Sequence, residues 1–293
     1  MSLRRAIFAF LALAIVASAL LAARSPVAAI NLLILPGSHT LTANVPYGPH
    51  PRQQLDIYRP TAQAPAGGWP VIVFFHGGSW HRGERADYRF VGEALASRGV
   101  LTLVADYRLY PEVRYPEFLG DSAHALAYAL EHATALGGNP GRTFVAGHSA
   151  GAYNAAMLAL DARWLAAVGH GPDELAGWVG LAGPYDFQPT RNPEVQPVFN
   201  HPDYPPGSQP IDHASGDTPR ALLGAAARDD LVNPQRNTVA LARRLQAAGA
   251  KVTLHLYDRV DHVTLAAAFS RPLRWMAPVL DDVAGFVMAP AAN

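Results

Sequence analysis

The fold is decided by the stretch Gly147-His148-Ser149-Ala150-Gly151, which lies between a predicted strand and a predicted helix. Residues 142–146 are typical of a short buried strand, and residues 152–160 are rich in helix formers without a breaker. A serine in a sharp strand-to-helix turn needs small neighbours, because a Cβ two residues away would collide with the strained backbone. Such a turn exposes the hydroxyl and directs the first N–H groups of the helix toward whatever its oxygen attacks. The stretch therefore predicts a nucleophilic serine.

The bulk composition limits the possible classes of protein. Half of the 293 residues are hydrophobic, 16% are charged, and the formal net charge is zero. This balance permits a large core and provides no electrostatic reason to expect nucleic acid as a partner. The chain contains no cysteine, which excludes disulfides, thiolate metal sites and a cysteine nucleophile.

The first 36 residues are predicted to be a separate hydrophobic leader and linker. Arg4 and Arg5 precede an uncharged stretch, residues 6–23, which would be about 27 Å long as a helix. A buried helix of the globular domain would have a polar face, and this stretch has none. We expect either an uncleaved membrane anchor or a cleaved signal peptide, with the anchor slightly preferred. Both place the protein in the cell envelope, with the catalytic domain outside the cytoplasm or exported after cleavage.

Residues 37–293 are predicted to form one α/β domain. Strands are expected at residues 40–45, 54–58, 69–75, 100–105, 142–146, 178–182, 221–225 and 251–257. Helices are expected at residues 88–97, 116–135, 152–160 and 234–248, and in an interrupted tail at residues 263–288. This alternation predicts a doubly wound, mostly parallel sheet of about eight strands with helices on both faces. The proline-rich stretch at residues 184–219 is long for a connection and is interpreted as a lid or wall.

A serine hydroxyl needs a base within hydrogen-bond reach and an acid to orient that base. In an open α/β sheet both should follow the carboxyl ends of later strands. His262 follows the last predicted strand, and the pair Asp229 and Asp230 follows the strand before it. The order Ser, Asp, His is the one expected for this serine turn. Asp229 is preferred because it stands three residues before Val232, a usual spacing in such loops, but Asp230 stays an alternative.

A third motif, His76-Gly77-Gly78-Ser79-Trp80, follows the apolar run of residues 69–75. Glycines in this turn leave backbone N–H groups unobstructed by side chains. Two such donors, together with the N–H of Ala150, can hold the oxyanion of a tetrahedral intermediate. The candidate donors are Gly77, Gly78, Ser79 and Ala150, and the choice among the first three stays open. His76 itself is expected to brace the turn.

Taken together, these motifs and the stretch Asp106-Tyr107-Arg108-Leu109 resemble the α/β-hydrolase fold over residues 40–288. The chain is most similar to bacterial carboxylesterases of the acetyl-esterase group, related to the hormone-sensitive-lipase family. The resemblance implies Ser149 as nucleophile, His262 as base and Asp229 as acid, with the oxyanion donors named above. Asp106 and Arg108 are expected to be a structural brace.

Two positions depart from the family pattern. Ser79 stands where that lipase family often has a third glycine. A serine at this position is similar to the pattern of esterase and formamidase-like groups. Asp261 precedes the base where glycine is frequent. Its carboxylate is expected either to compete for the N–H of the base or to point away into solvent.

The sequence thus predicts a serine hydrolase that acts on small-molecule esters, with short-chain carboxylic esters as the leading substrates. The alternatives are an amide hydrolase, either arylformamidase-like or a peptidase, and a binding protein without turnover on the same fold. No metal is expected, because the histidines lack a His-Glu-x-x-His spacing and the one His-Pro-Asp loop lacks a third ligand. No nucleotide cofactor is expected, because neither a Gly-x-Gly-x-x-Gly nor a Walker pattern is present.

Overall fold

The structure, a computed structural model, describes residues 26–34 and 36–290. The predictions for the leader at residues 1–25 lie outside these residues. The strands are β1 (His39–Pro46), β2 (Gln54–Pro60), β3 (Trp69–Phe75), β4 (Leu101–Ala105), β5 (Gly138–His148), β6 (Leu175–Leu181), β7 (Ala221–Ala226) and β8 (Val252–Tyr257). The α-helices are α1 (Pro26–Leu32), α2 (Arg89–Ala96), α3 (Glu117–His132), α4 (Ala150–Leu160), α5 (Arg163–Ala166), α6 (Ala240–Ala247), α7 (His262–Ala267) and α8 (Val279–Met288).

The strands form one sheet in the order β1-β2-β4-β3-β5-β6-β7-β8. β2 is antiparallel to both of its neighbours. The remaining six strands, in the spatial order β4-β3-β5-β6-β7-β8, are parallel to one another. The predicted fold class, an α/β-hydrolase sheet with helices on both faces, is confirmed. Because parallel strands end at the same edge, the loops after β3, β5, β7 and β8 meet there.

Helices cover the sheet on two faces, and each face has its own apolar core. On one face α3, α4 and α6 bury Leu126, Tyr153 and Leu245 against the sheet. On the other face α2, α7 and α8 bury side chains that include Leu95 and Leu265. Strands covered on both sides should be apolar throughout, and six of the seven residues of β3 are buried. This double burial makes the central strands a rigid base for the loops at their ends.

Helix α1 packs on the domain rather than standing apart from it. Val27 and Ile30 contact the core that α2 and α8 share, and the Asn31 amide donates to the carbonyl oxygen of Ala86 at 2.9 Å. The Asn31 side-chain oxygen accepts the N–H of Phe90 at 3.2 Å. Within residues 26–34 and 36–290, no helix is long and apolar enough to cross a membrane.

The structural brace expected of Asp106 and Arg108 is present, but the two side chains pair with different partners and not with each other. The carboxylate of Asp106 accepts from the main-chain N–H of Arg85 at 2.6 Å and from the Arg85 guanidinium. The Arg108 guanidinium instead donates two hydrogen bonds to Asp121 of α3, at 2.9 and 2.8 Å, and the Arg108 main-chain N–H donates a third at 2.9 Å. Asp121 also accepts the amide of Gln53 at 2.8 Å. The loop after β4 is thereby held to the segment before α2 on one side and to α3 on the other.

Replacing Asp121 with alanine should lower the free energy of unfolding by about 3 kcal/mol, because it leaves Arg108 and Gln53 without their buried acceptor. The matched control is Asp281→Ala. Asp281 also pairs with an arginine, Arg98, but its side chain is 64% exposed, whereas that of Asp121 is 2% exposed. The control should cost less than about 1 kcal/mol. Urea unfolding of both variants measures the difference, and equal losses would contradict the assignment of Asp121 as a structural anchor.

Candidate active site

Ser149 lies in the sharp turn between β5 and α4 and has φ 55° and ψ −120°. This left-handed conformation is unfavourable for a residue with a Cβ, so the surroundings must impose it. The Ser149 N–H donates to the carbonyl oxygen of Leu181 on β6 at 2.8 Å. A Cβ at Gly147 would lie 2.2 Å from the backbone of Gly151, and one at Gly151 would lie 2.1 Å from the Phe75 oxygen. The turn therefore depends on both glycines, as the sequence predicts.

His262, the first residue of α7, reaches the serine from the loop after β8. Its Nε2 lies 2.9 Å from Ser149 Oγ, so the hydroxyl can donate to the ring. The neighbouring Asp261 caps the same helix and accepts the N–H groups of Val263 and Thr264 at 3.0 and 2.8 Å. Of the two roles expected for Asp261, competition with the base does not occur, because its carboxylate is used in this cap.

Asp229 is the carboxylate that contacts the imidazole. His262 Nδ1 donates to its Oδ2 at 2.7 Å, while Oδ1 accepts the N–H groups of Leu231 and Val232 at 2.9 and 2.8 Å. Burial raises the pKa of Asp229, but these hydrogen bonds to its charged form outweigh burial and leave the pKa below its usual value. Asp230 is exposed to solvent. The structure thus brings Ser149, His262 and Asp229 together and leaves Asp230 apart.

The turn after β3 presents only some of its N–H groups to the serine. The N–H of Gly77 donates to the Tyr88 hydroxyl at 3.1 Å, which removes it from the candidate oxyanion donors. Ser79 and Ala150 line the same cavity as Ser149. Gly78 has φ 122°, and a Cβ there would lie 2.0 Å from the oxygen of Arg82. The candidates that remain are therefore Gly78, Ser79 and Ala150.

Buried side chains hold this turn in place. The His76 ring stacks on Tyr107 at 4.4 Å between centroids, and its Nδ1 donates to the carbonyl oxygen of Gly77 at 2.7 Å. Burial lowers the pKa of His76 to about 3, so the ring is neutral at physiological pH. Trp80, with φ 59°, donates its indole N–H to Asn154 of α4 at 3.0 Å. His76 braces the turn, as expected from its position.

Ser149 lines a cavity of about 690 Å³. Residues 184–195 of the proline-rich stretch contribute one wall, which includes Phe187. Two ion pairs lie along the cavity lining: Arg82 contacts Glu194 at 3.1 Å, and Arg236 contacts Asp186 at 3.4 Å. The cavity lining therefore combines apolar side chains, such as Phe187, with these two half-exposed ion pairs, which form its charged rim.

Sequence reasoning missed two residues next to the site, Tyr88 and His148. His148 lies inside the quoted serine motif, but its own contacts depend on chain segments far away in sequence. Its Nδ1 accepts the hydroxyl of Tyr88 at 2.8 Å, and its Nε2 donates to the carbonyl oxygen of His262 at 2.9 Å. No local pattern in the sequence indicates these two contacts.

In residues 26–34 and 36–290, no group of three or more histidine, aspartate or glutamate side chains is placed to hold a metal ion.

A nucleophile elbow at the end of β5, an imidazole after β8 and a carboxylate after β7 define the chain as an α/β-hydrolase. Residues 55–245 match the BD-FAE family, which is about two thirds of the chain, and the protein belongs to this family.

Curated relatives carry esterase names. The chain is 26% identical to "Probable isoprenylcysteine alpha-carbonyl methylesterase ICME" of Oryza sativa subsp. japonica, over 89% of this chain and 70% of that protein. It is 30% identical to the esterase LipC of Mycobacterium tuberculosis, over 69% of this chain and 54% of that protein. It spans 39% of the isoprenylcysteine alpha-carbonyl methylesterase ICME of Arabidopsis thaliana at 29% identity, covering 53% of this chain.

The fold is shared with solved esterase structures. An esterase of Pyrobaculum calidifontis superposes with a TM-score of 0.72 and 20% identity, over 89% of each chain. A carbohydrate esterase from gut microbiota superposes with a TM-score of 0.70 and 19% identity, over 86% of this chain and 97% of that one. The curated relatives thus place the chain among proteins named as esterases, and the solved structures show the same fold.

Proposed function

We propose that this protein is a serine carboxylic-ester hydrolase that works through an acyl-enzyme. The observation that carries the proposal is the continuous contact from Ser149 Oγ to His262 Nε2 at 2.9 Å and from His262 Nδ1 to Asp229 at 2.7 Å. A serine hydroxyl, an imidazole and a buried carboxylate in this order supply a nucleophile, a general base and the group that orients the base.

In the acylation step, Ser149 Oγ attacks the ester carbonyl carbon while its proton passes to His262 Nε2. Asp229 stabilises the imidazolium that forms, and its lowered pKa keeps it ionised throughout the neutral range. The tetrahedral intermediate then collapses, the bond to the alcohol oxygen breaks, and Nε2 returns the proton to that oxygen. The alcohol leaves, and the acyl group stays on Ser149.

In the deacylation step, water attacks the acyl carbon while His262 Nε2 takes its proton. The second tetrahedral intermediate expels Ser149 Oγ, which regains that proton, and the acid is released. In both steps the oxyanion needs fixed donors, and the N–H groups of Ser79 and Ala150 are proposed for this role because both residues line the cavity. One such donor typically contributes about 2.7–4 kcal/mol to the transition state.

Short-chain esters are the proposed substrates. A long alkyl chain that extends along the cavity lining would cover the ion pairs of Arg82 with Glu194 and of Arg236 with Asp186, and their desolvation would oppose binding. The names of the relatives support an ester over an amide. An amide hydrolase and a binding protein without turnover are the alternatives that the experiments below separate.

Ser149→Ala should lower esterase activity by about 10⁴-fold or more and leave the fold intact, because only the nucleophilic oxygen is removed. A fluorophosphonate probe should label the wild type and Ser97→Ala, a control at the end of α2, but not Ser149→Ala. Full activity in Ser149→Ala would remove this residue from the mechanism. A correctly folded wild type that is never labelled would favour the binding protein.

Asp229→Asn should lower kcat by about 10³- to 10⁴-fold, because an amide no longer fixes the productive tautomer of His262. Asp230→Asn is the matched control, because it makes the same change one residue along the chain on an exposed side chain. We expect less than about a threefold change in that control. Steady-state kinetics of both variants decide between them, and a larger loss in Asp230→Asn would refute the assignment.

Paired substrates test the proposed specificity. The ratio kcat/KM should be at least about tenfold higher for p-nitrophenyl acetate and butyrate than for the octanoate, because the charged rim resists a long chain. The matching anilides should react at least about 100-fold more slowly than the esters. A preference for the octanoate would contradict the short-chain proposal, and faster anilide hydrolysis would favour the amide hydrolase.

A further inference from the structure

Three hydrogen bonds run in series from the turn after β3 to the main chain of His262. The N–H of Gly77 donates to the hydroxyl oxygen of Tyr88 at 3.1 Å. That hydroxyl lies 2.8 Å from Nδ1 of His148, and His148 Nε2 lies 2.9 Å from the carbonyl oxygen of His262. The series connects the loop that carries the oxyanion donors with the residue that carries the imidazole. The third of its four residues, His148, directly precedes Ser149 in the chain.

The protonation of His148 determines the direction of these hydrogen bonds. Burial, with a smaller effect from His262, lowers the pKa of His148 to about 3, so its ring is neutral at physiological pH. A neutral imidazole has one donor and one acceptor. A carbonyl oxygen can only accept, so Nε2 carries the proton and Nδ1 accepts from the Tyr88 hydroxyl. The Tyr88 oxygen in turn accepts from Gly77, and every group in the series has a single possible role.

Packing leaves the members of the series little freedom to move. The ring of Tyr88 lies against Phe74 and Phe90, with centroid distances of 5.5 and 5.8 Å. The ring of His148 is buried, and its centroid is 5.0 Å from that of His262. The backbone of Gly77 is held at two points, because its N–H donates to Tyr88 and its carbonyl oxygen accepts from His76. Neither Tyr88 nor His148 lines the cavity at Ser149, so neither touches a substrate there.

We propose that Tyr88 and His148 are positioning residues that keep the turn after β3 and His262 aligned with each other around Ser149. The turn after β3 and the start of α7 belong to separate loops, and no strand pairing joins β3 to β8. The series supplies that missing connection through fixed side chains. A small displacement of the imidazole or of the oxyanion donors slows both tetrahedral steps, whereas ground-state binding in the cavity is little affected. This inference rests on the proposed function.

Tyr88→Phe tests the proposal because it removes the hydroxyl and keeps the packed ring. We expect kcat per active site to fall by about ten- to 100-fold while KM changes less than about threefold. Tyr47→Phe is the control: Tyr47 is also half-buried, and its hydroxyl donates to the carbonyl oxygen of Asp106 at 2.6 Å. That variant loses a comparable hydrogen bond and should keep the wild-type kcat.

Two variants of His148 test whether its contact with the carbonyl oxygen of His262 contributes to kcat. His148→Phe removes both hydrogen bonds, whereas His148→Gln keeps a side-chain donor for the carbonyl oxygen of His262. We expect kcat per active site to rank wild type, then His148→Gln, then His148→Phe. Equal kcat in the two variants would contradict a role for the contact with His262.

Active-site titration with a fluorophosphonate, carried to completion, separates positioning from folding and from the proposed function. A variant that merely folds poorly has fewer titratable sites but the wild-type kcat at each one, and this result for Tyr88→Phe would overturn the positioning role. A lowered kcat at each titrated site supports it. A wild type that is not labelled at all would instead refute the proposed function.

Discussion

The whole site depends on the close approach of three backbones around Ser149. Helix α4 can lie against the end of β3 only because Gly151 has no side chain, since a Cβ would meet the Phe75 oxygen at 2.1 Å. The parallel pairing of β3 with β5 places Phe75 beside Gly147. The turn after β3 is therefore delivered next to the serine, and the strain at φ 55° is maintained by the rigid, doubly covered sheet.

Around this centre, the charged and polar groups are fixed by hydrogen bonds from the backbone. Asp229 is held by two N–H groups of its own loop, and Asp261 caps the helix that His262 begins. The loop after β4, whose Tyr107 ring stacks on His76 in the turn after β3, is anchored by Asp106 and Asp121. Such groups lose little freedom when a reaction begins, and an arrangement of this kind is what electrostatic stabilisation of a transition state requires.

Several elements could be predicted from sequence because their signals are local. The apolar run of β3 begins and ends as expected, and the other strands agree to within a few residues. β5 is longer than predicted because Gly138 pairs with Trp69 across a register shift, which depends on the neighbouring strand. The helix expected at residues 234–248 begins with a π-helical segment, Gln235–Val239. There the Asn237 side chain accepts the N–H groups of Tyr185 and Asp186, an interaction from a distant loop.

The sequence by itself determined the strand-turn-helix around Ser149, the order of the chemical groups along the chain and the need for glycine at positions 147 and 151. Each of these follows from residue type and near neighbours. Only the tertiary structure decided which aspartate contacts His262, that the N–H of Gly77 is bonded to Tyr88, and that His148 bonds to the main chain of His262. These contacts join residues that are eleven to 114 positions apart. Their distances depend on how separate loops converge at one edge of the sheet, which no local pattern encodes.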